Sequence, residues 1–175
     1  MAKAKEKIVL EIDQAELVEE KAKKKAVRVL AFVIGGENYC VKIKEVKEVI
    51  RPARITGVPN SPEFVVGVMN LRGDIIPLLD IRHFFGLAEK ERTKDARVVI
   101  TDATGLLVGI LVDSITDTLD IEEETIQPPL STLRKELAGY TRGQVKIGKD
   151  ILIFLDFKSI FKSEDIIRLR KGEVR

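Results

Sequence analysis

The sequence predicts a mainly β protein made of two small antiparallel barrels side by side, on three observations. First, Gly67, Leu71, Asp74, Leu79, Asp80 and Phe85 recur 76 positions later as Gly143, Ile147, Asp150, Leu155, Asp156 and Phe161. Second, Gly36, Tyr39, Val41, Ile43, Val46, Glu48 and Pro59 recur 69 positions later as Gly105, Val108, Ile110, Val112, Ile115, Asp117 and Pro128. The change of offset requires seven inserted residues, placed within 129–140. Third, the apolar runs are short and separated by turn residues, which gives hairpins. Two copies are too few for a stacked array, which needs three or more, so the repeat reads as two pseudo-symmetric subdomains sharing a core.

The elements follow in order. Residues 1–26 are charged, without a sustained apolar stripe, and read as a flexible extension. Val27 to Ile34 is β-rich, Gly35 to Asn38 is a turn, and Tyr39 to Ile43 alternates as a second strand. Ile43, Val46, Val49 and Ile50 fall at helical spacing, predicting a short helix or turn before Pro52. Ile55 to Val58 returns to strand. Ser61-Pro62 resembles a helix start, with Ser61 as the cap. Phe64 to Leu71 and Ile75 to Leu79 flank the Arg72-Gly73-Asp74 turn, and Asp80 to Phe85 begins a short helix that Gly86 closes. The second half repeats the theme: Arg97 to Thr101, Leu106 to Val112, Thr118 to Ile121, Gly143 to Ile147 and Ile151 to Leu155 are strands, and residues 131–137 a short helix. The globular part spans 27–162, and 163–175 supplies a short amphipathic helix and tail.

Composition narrows the function. The 175 residues are 45% apolar, enough to bury a real core. With 30 basic and 28 acidic residues the net charge is +2, so no global field calls for nucleic acid or an anionic membrane. The one cysteine, Cys40, excludes an internal disulfide and reads as a buried small side chain. The apolar cluster Ile8 to Ile12 is too short and too charged for a signal or a membrane span, which predicts a cytoplasmic protein.

Catalytic groups are scarce. His83 is the one histidine and lies beside Phe84-Phe85, so no zinc site or Ser-His-Asp arrangement can be assembled, and it reads as a surface or packing residue. No phosphate-binding glycine loop occurs. The expectation is a non-enzyme with no cofactor and no metal. Small barrels also bind single-stranded nucleic acid through aromatic platforms in a basic groove, and this is the alternative from another class. Against it, the nine aromatic residues fall mostly at core positions.

A binding surface remains. Arg72 sits in a hairpin turn, and its counterpart is Gly148, so the barrel does not require the charge. A half-buried guanidinium there needs a carboxylate, and Glu48 is the candidate. Two roles stay open for the pair: bracing the turn, or presenting an ionic spot within an apolar face of Val46, Val49 and Leu71.

Glu48-Val49-Ile50, Ile55-Thr56-Gly57-Val58-Pro59, Gly67-Val68-Met69-Asn70-Leu71-Arg72-Gly73, Ile75 to Asp80 and Gly109 to Asp113 resemble the CheW family of bacterial chemotaxis adaptors, over roughly Val27 to Phe161. The resemblance implies two five-stranded SH3-like barrels and a non-catalytic protein that couples chemoreceptors to the histidine kinase CheA in a signalling array. The implied partners are the kinase's regulatory domain and the cytoplasmic tips of methyl-accepting receptors. The implied location is the cytoplasm beside membrane-bound receptor arrays. The receptor-facing set is Val46, Glu48, Asn70, Leu71 and Arg72, and the kinase-facing set Ile55, Val58 and Pro59. A regulatory module of a larger signalling protein is the neighbouring alternative. The chain starts with Met1 and has no kinase or receiver segment, so a stand-alone adaptor is expected.

Overall fold

The computed structural model describes residues 25–171, with side chains to residue 168. The charged residues 1–24, and the tail beyond 171, lie outside the described residues.

Among the described residues, eleven strands form two sheets. They are β1 (Ala26–Ile34), β2 (Glu37–Lys42), β3 (Val46–Ile50), β4 (Ile55–Thr56), β5 (Val65–Leu71), β6 (Asp74–Leu79), β7 (Arg97–Asp102), β8 (Leu107–Val112), β9 (Ser114–Glu122), β10 (Thr141–Ile147) and β11 (Asp150–Leu155). One sheet runs β10-β11-β2-β1-β9 and the other β3-β7-β8-β6-β5-β4. Three short helices follow the second-half strands: α1 (Lys135–Ala138), α2 (Phe157–Phe161) and α3 (Glu164–Lys171).

The sheets are not the two halves of the chain. The hairpin β1-β2 lies in the sheet that holds β9 to β11, and the hairpin β7-β8 in the sheet that holds β3 to β6. Each half therefore lends its first hairpin to the other. The internal repeat survives this exchange residue by residue. Leu78 pairs with Gly109 and Phe154 with Cys40, in equivalent parallel ladders. Glu48 pairs with Ile100 and Asp117 with Ala31, each next to a register shift at the same place.

The glycines of the first repeat show why they recur. A Cβ on Gly67 would collide with the Thr56 carbonyl and the Ile55 side chain, and one on Gly143 with the Gln127 carbonyl and the Ile126 side chain. Backbone crosses backbone at both points, so only glycine fits. This also equates Thr56 with Gln127, an offset of 71. The match of Pro59 with Pro128 is thus not structural, and the insertion is divided between the stretch before Gln127 and the stretch after it. Thr56 belongs to a two-residue strand, whereas Gln127 makes an isolated bridge to Gln144. That is why one sheet has six strands rather than the expected five.

Alternation along the strands builds three apolar clusters. In β1, Val29 and Ala31 face a cluster inside their own sheet with Val145, Leu152 and Phe154, while Leu30, Phe32 and Ile34 face a core shared by both sheets. In β7, Val98 and Ile100 face the equivalent cluster of the other sheet with Met69, Ile76 and Leu78, and Val99 faces the shared core. Strands buried on both faces read as continuous apolar runs, as these do.

Several local expectations are corrected. Residues 43–50 begin with a turn, one of the two alternatives, of 3-10 form over Ile43–Glu45, and continue as β3 rather than a helix, because pairing with β7 outweighs the helical spacing. Ser61-Pro62 opens a turn closed by the Val65 N–H on the Pro62 carbonyl at 2.9 Å, and β5 begins before a helix can form. β9 is nine residues long, reaching beyond the expected 118–121 because β1 pairs along its length. His83–Phe85 is a 3-10 turn ended by Gly86 in the left-handed region, as the sequence suggested. The C-terminal helix is α3, and its Ile166 docks on the shared core.

Candidate functional site: a strained turn, a recess and two ionic clamps

In the hairpin β5-β6, Leu71 pairs with Asp74, leaving Arg72 and Gly73 as a two-residue turn. Both have positive φ, 54° and 102°. Glycine accepts this conformation, but an arginine in the left-handed region costs about 1–2 kcal/mol. The equivalent turn has Gly148 at φ 59°, followed by Lys149. Asn70 holds the strained turn together, its side-chain oxygen accepting the Gly73 N–H at 2.9 Å.

Arg72 Nη2 donates to Glu48 Oε2 at 2.8 Å. The Arg72 side chain remains 78% exposed against 25% for Glu48, so the guanidinium is presented outward from a carboxylate rooted in β3. In the second half, Asp117 instead accepts the N–H of the adjacent Thr118 at 2.7 Å. The geometry of the expected pair is present, and it occurs in one half.

The expected apolar face around the pair is not one face. Val46 pairs with Thr101 and packs on the shared core, whereas Leu71 packs on the cluster of Met69, Ile76 and Ile100. The register shift between Val46 and Glu48 turns the two residues to opposite sides of β3, which the helical reading of this segment hid. Val49 is exposed. Of the kinase-facing set, Ile55 pairs with Met69 and is half-buried against the same cluster as Leu71. Val58 and Pro59 are exposed in the connection after β4.

Beside the start of β3 lies a recess of about 340 Å³, lined by Lys44, Glu45, Lys47 and Thr101 from one side and by Phe157, Lys158 and Phe161 of α2 from the other. Phe157 and Phe161 line it together with three lysines and the carboxylates of Glu45 and Asp102. No local pattern marks it, since its walls come from three segments, around Lys44, Thr101 and Phe157, that only the fold brings together.

The sequence also did not reveal two ionic clamps, one around a buried arginine and one around a half-buried one. Arg82, only 3% exposed, donates to Asp80 at 2.7 Å and to Asp113, whose other oxygen accepts the Gly35 N–H at 2.8 Å. Arg142 donates to Glu45 at 2.8 Å and to Asp156 at 3.0 Å. Asp80 and Asp156 are repeat equivalents, but their arginines come from non-equivalent positions, so the repeat arithmetic exposed the acids and not their partners. Each clamp joins the two halves of the sequence. Burial works against the charge of Arg142, yet its hydrogen bonds to Asp156 and Glu45 raise its pKa; burial likewise pushes the Asp156 carboxyl up, but Arg142 brings it below the usual range.

Other expected residues fall where side-chain chemistry places them. Cys40 is buried, which pushes its thiol up to about 12. His83 is exposed, tilted against Phe64 and edge-on to Phe84, 3.9 Å from Asp165. All seven phenylalanines and Tyr39 are buried, and Tyr140 is half-buried against the shared core. Among the described residues, no group of three His, Cys, Asp or Glu side chains is placed to hold a metal, and no helix is long and apolar enough to cross a membrane.

Fold and site together define a scaffold: two pseudo-symmetric β subdomains that exchange hairpins and present an ionic turn and a recess. The CheW-like domain family matches residues 28–165. The chemotaxis protein CheW of Helicobacter pylori is 31% identical over 135 residues, covering 77% of this chain and 81% of that protein. CheW of Klebsiella aerogenes is 31% identical over 137 residues, covering 78% and 82%. The crystal structure of the scaffolding protein TtCheW from Thermoanaerobacter tengcongensis superposes with a TM-score of 0.72 at 29% identity, covering 82% of this chain and 93% of that one. The chain belongs to the CheW family, and it is a non-catalytic chemotaxis adaptor.

Proposed function

We propose that this adaptor couples the cytoplasmic tips of methyl-accepting chemoreceptors to the regulatory domain of the histidine kinase CheA, within receptor arrays. A receptor helix meets Glu48 and Arg72, with Asn70 and Leu71 fixing the turn and Val46 leading to the recess beside α2. The observation that carries this is the Arg72 turn. The fold tolerates glycine at the equivalent place, yet here keeps an arginine in a strained conformation with its charge turned outward. Strain retained at a position the scaffold does not need marks a binding role.

The kinase docks on the strip Ile55, Val58 and Pro59. This strip is aliphatic, and apolar burial contributes roughly 25 cal/mol per Å² without being screened by salt. Val58→Asp therefore weakens kinase binding severely while the fold stays intact. Unchanged affinity moves the kinase surface elsewhere.

The receptor reading is tested by Arg72→Ala. An exposed ion pair contributes about 0–1 kcal/mol, so the fold remains stable while receptor coupling falls. The double variant Glu48→Arg with Arg72→Glu separates two roles: restored receptor binding means the pair braces the turn, and persistent loss means one of the charges touches the receptor. Wild-type receptor binding and kinase control in Arg72→Ala would sink the proposal.

A further inference from the structure

The two halves place opposite charges at one equivalent point. In the second-half position, Asp120 of β9 lies opposite Arg28 of β1, and Arg28 Nε and Nη2 donate to the two Asp120 oxygens at 2.8 Å each. Sixty-nine positions relate Arg28 to Arg97 of β7, and Asp120 to Arg51 at the end of β3, next to the Ile50–Val98 pair. Where the β1–β9 ladder has an arginine and a carboxylate, the β3–β7 ladder sets arginine beside arginine. Like charges on neighbouring strands destabilise a sheet.

Arg97 escapes by turning to the chain, its Nη1 donating to the carbonyls of Asp95 at 2.9 Å and Ala96 at 2.8 Å. The Arg51 side chain has no hydrogen-bond or ion-pair partner among the described residues, and neither have those of Arg92 and Lys94. These three line a single cavity of about 290 Å³ with no carboxylate in its wall. The connection from β3 to β4 and the loop before β7 thus converge unneutralised cations on one space.

We propose that this cavity docks a carboxylate-rich segment of a partner protein, which supplies the negative charge that Asp120 supplies within the chain at the equivalent point. The β1–β9 ladder shows the chemistry that satisfies this strand geometry: a carboxylate accepting two N–H donors of one arginine. The assignment does not depend on which surface the kinase or the receptor occupies.

The probe is an acetylated tetra-glutamate peptide added to the full chain at low salt, followed by backbone amide shifts. Shifts confined to residues 51–54 and 92–96, absent with tetra-glutamine, are expected. Arg51→Asp builds the missing carboxylate into the chain, so the peptide binds about tenfold more weakly, with no fall in thermal midpoint. Arg92→Gln, in the loop outside the strands, also weakens binding several-fold, and it decides the matter alone if Arg51→Asp does not fold. Unchanged affinity in the folded variants, shifts elsewhere, or no shifts overturn the proposal. Inorganic phosphate reproducing the same shifts at the same concentration also overturns it, by making this a free-anion site.

Discussion

The turns Arg72-Gly73 and Gly148-Lys149 occupy one place in the repeat, and they differ in what the fold alone demands. The second is a plain hairpin with glycine at the left-handed position. The first holds an arginine there, tied to Glu48 at 2.8 Å and braced by Asn70. Pseudo-symmetry thus acts as an internal control: what both halves share is needed for folding, and what one half adds is available for binding. The same comparison separates the acids Asp80 and Asp156, which both halves use, from Arg82 and Arg142, which each half recruits differently.

The largest test breaks the halves apart. Because each lends a hairpin to the other's sheet, residues 25–92 expressed alone should be unfolded by circular dichroism, and mixing with residues 93–175 should restore β structure. A folded, cooperative half-chain would show that the exchange is dispensable. Next is the contrast between clamps. Arg82→Ala removes a buried guanidinium and leaves two half-buried carboxylates without their cation, so it should lose up to about 3–5 kcal/mol in urea unfolding, whereas Arg142→Ala, at a partly exposed site, should lose at least about 1 kcal/mol less. Equal losses would mean that burial does not set their difference.

Smaller is the effect of making the two turns alike. Arg72→Gly relieves a left-handed arginine and removes a surface ion pair, terms of opposite sign, so stability should move by less than about 1 kcal/mol. Receptor coupling in this variant should fall as in Arg72→Ala. The smallest effect is acid sensitivity. The Asp156 carboxyl titrates below its unfolded value in the folded chain. Its contribution is present above the unfolded value of about 3.9 and is lost as pH falls through the lower folded value. Arg142→Gln should remove that part of the pH dependence, under about 1 kcal/mol at a partly exposed site, read from urea midpoints below about pH 5.

Local patterns made much of the molecule legible. The hairpin β1-β2 was readable because Gly35-Gly36 sits between β-rich runs, and the 3-10 turn at Phe85 because Gly86 follows it. The segment 43–50 misled because its apolar spacing suits a helix, while a register shift in β3 puts Val46 and Glu48 on opposite sides of the strand. Glu48 and Arg72 were paired from charge and repeat position. The clamp partners Asp113 and Glu45 were invisible, since each reaches an arginine 31 or 97 positions away.

The sequence by itself determined the duplication, the four hairpins, the two halves' shared glycines and the arginine that replaces glycine in one of the two equivalent turns, because these depend on residue type and short spacing. Only the tertiary structure decided which hairpin joins which sheet. The repeat offsets are the same whether β1-β2 packs with its own half or with the other. The choice rests on the ladders β1-β9, β2-β11, β3-β7 and β6-β8, all of which cross between the halves. Those contacts, the ionic clamps and the recess exist only once distant strands meet, and no local pattern encodes the meeting.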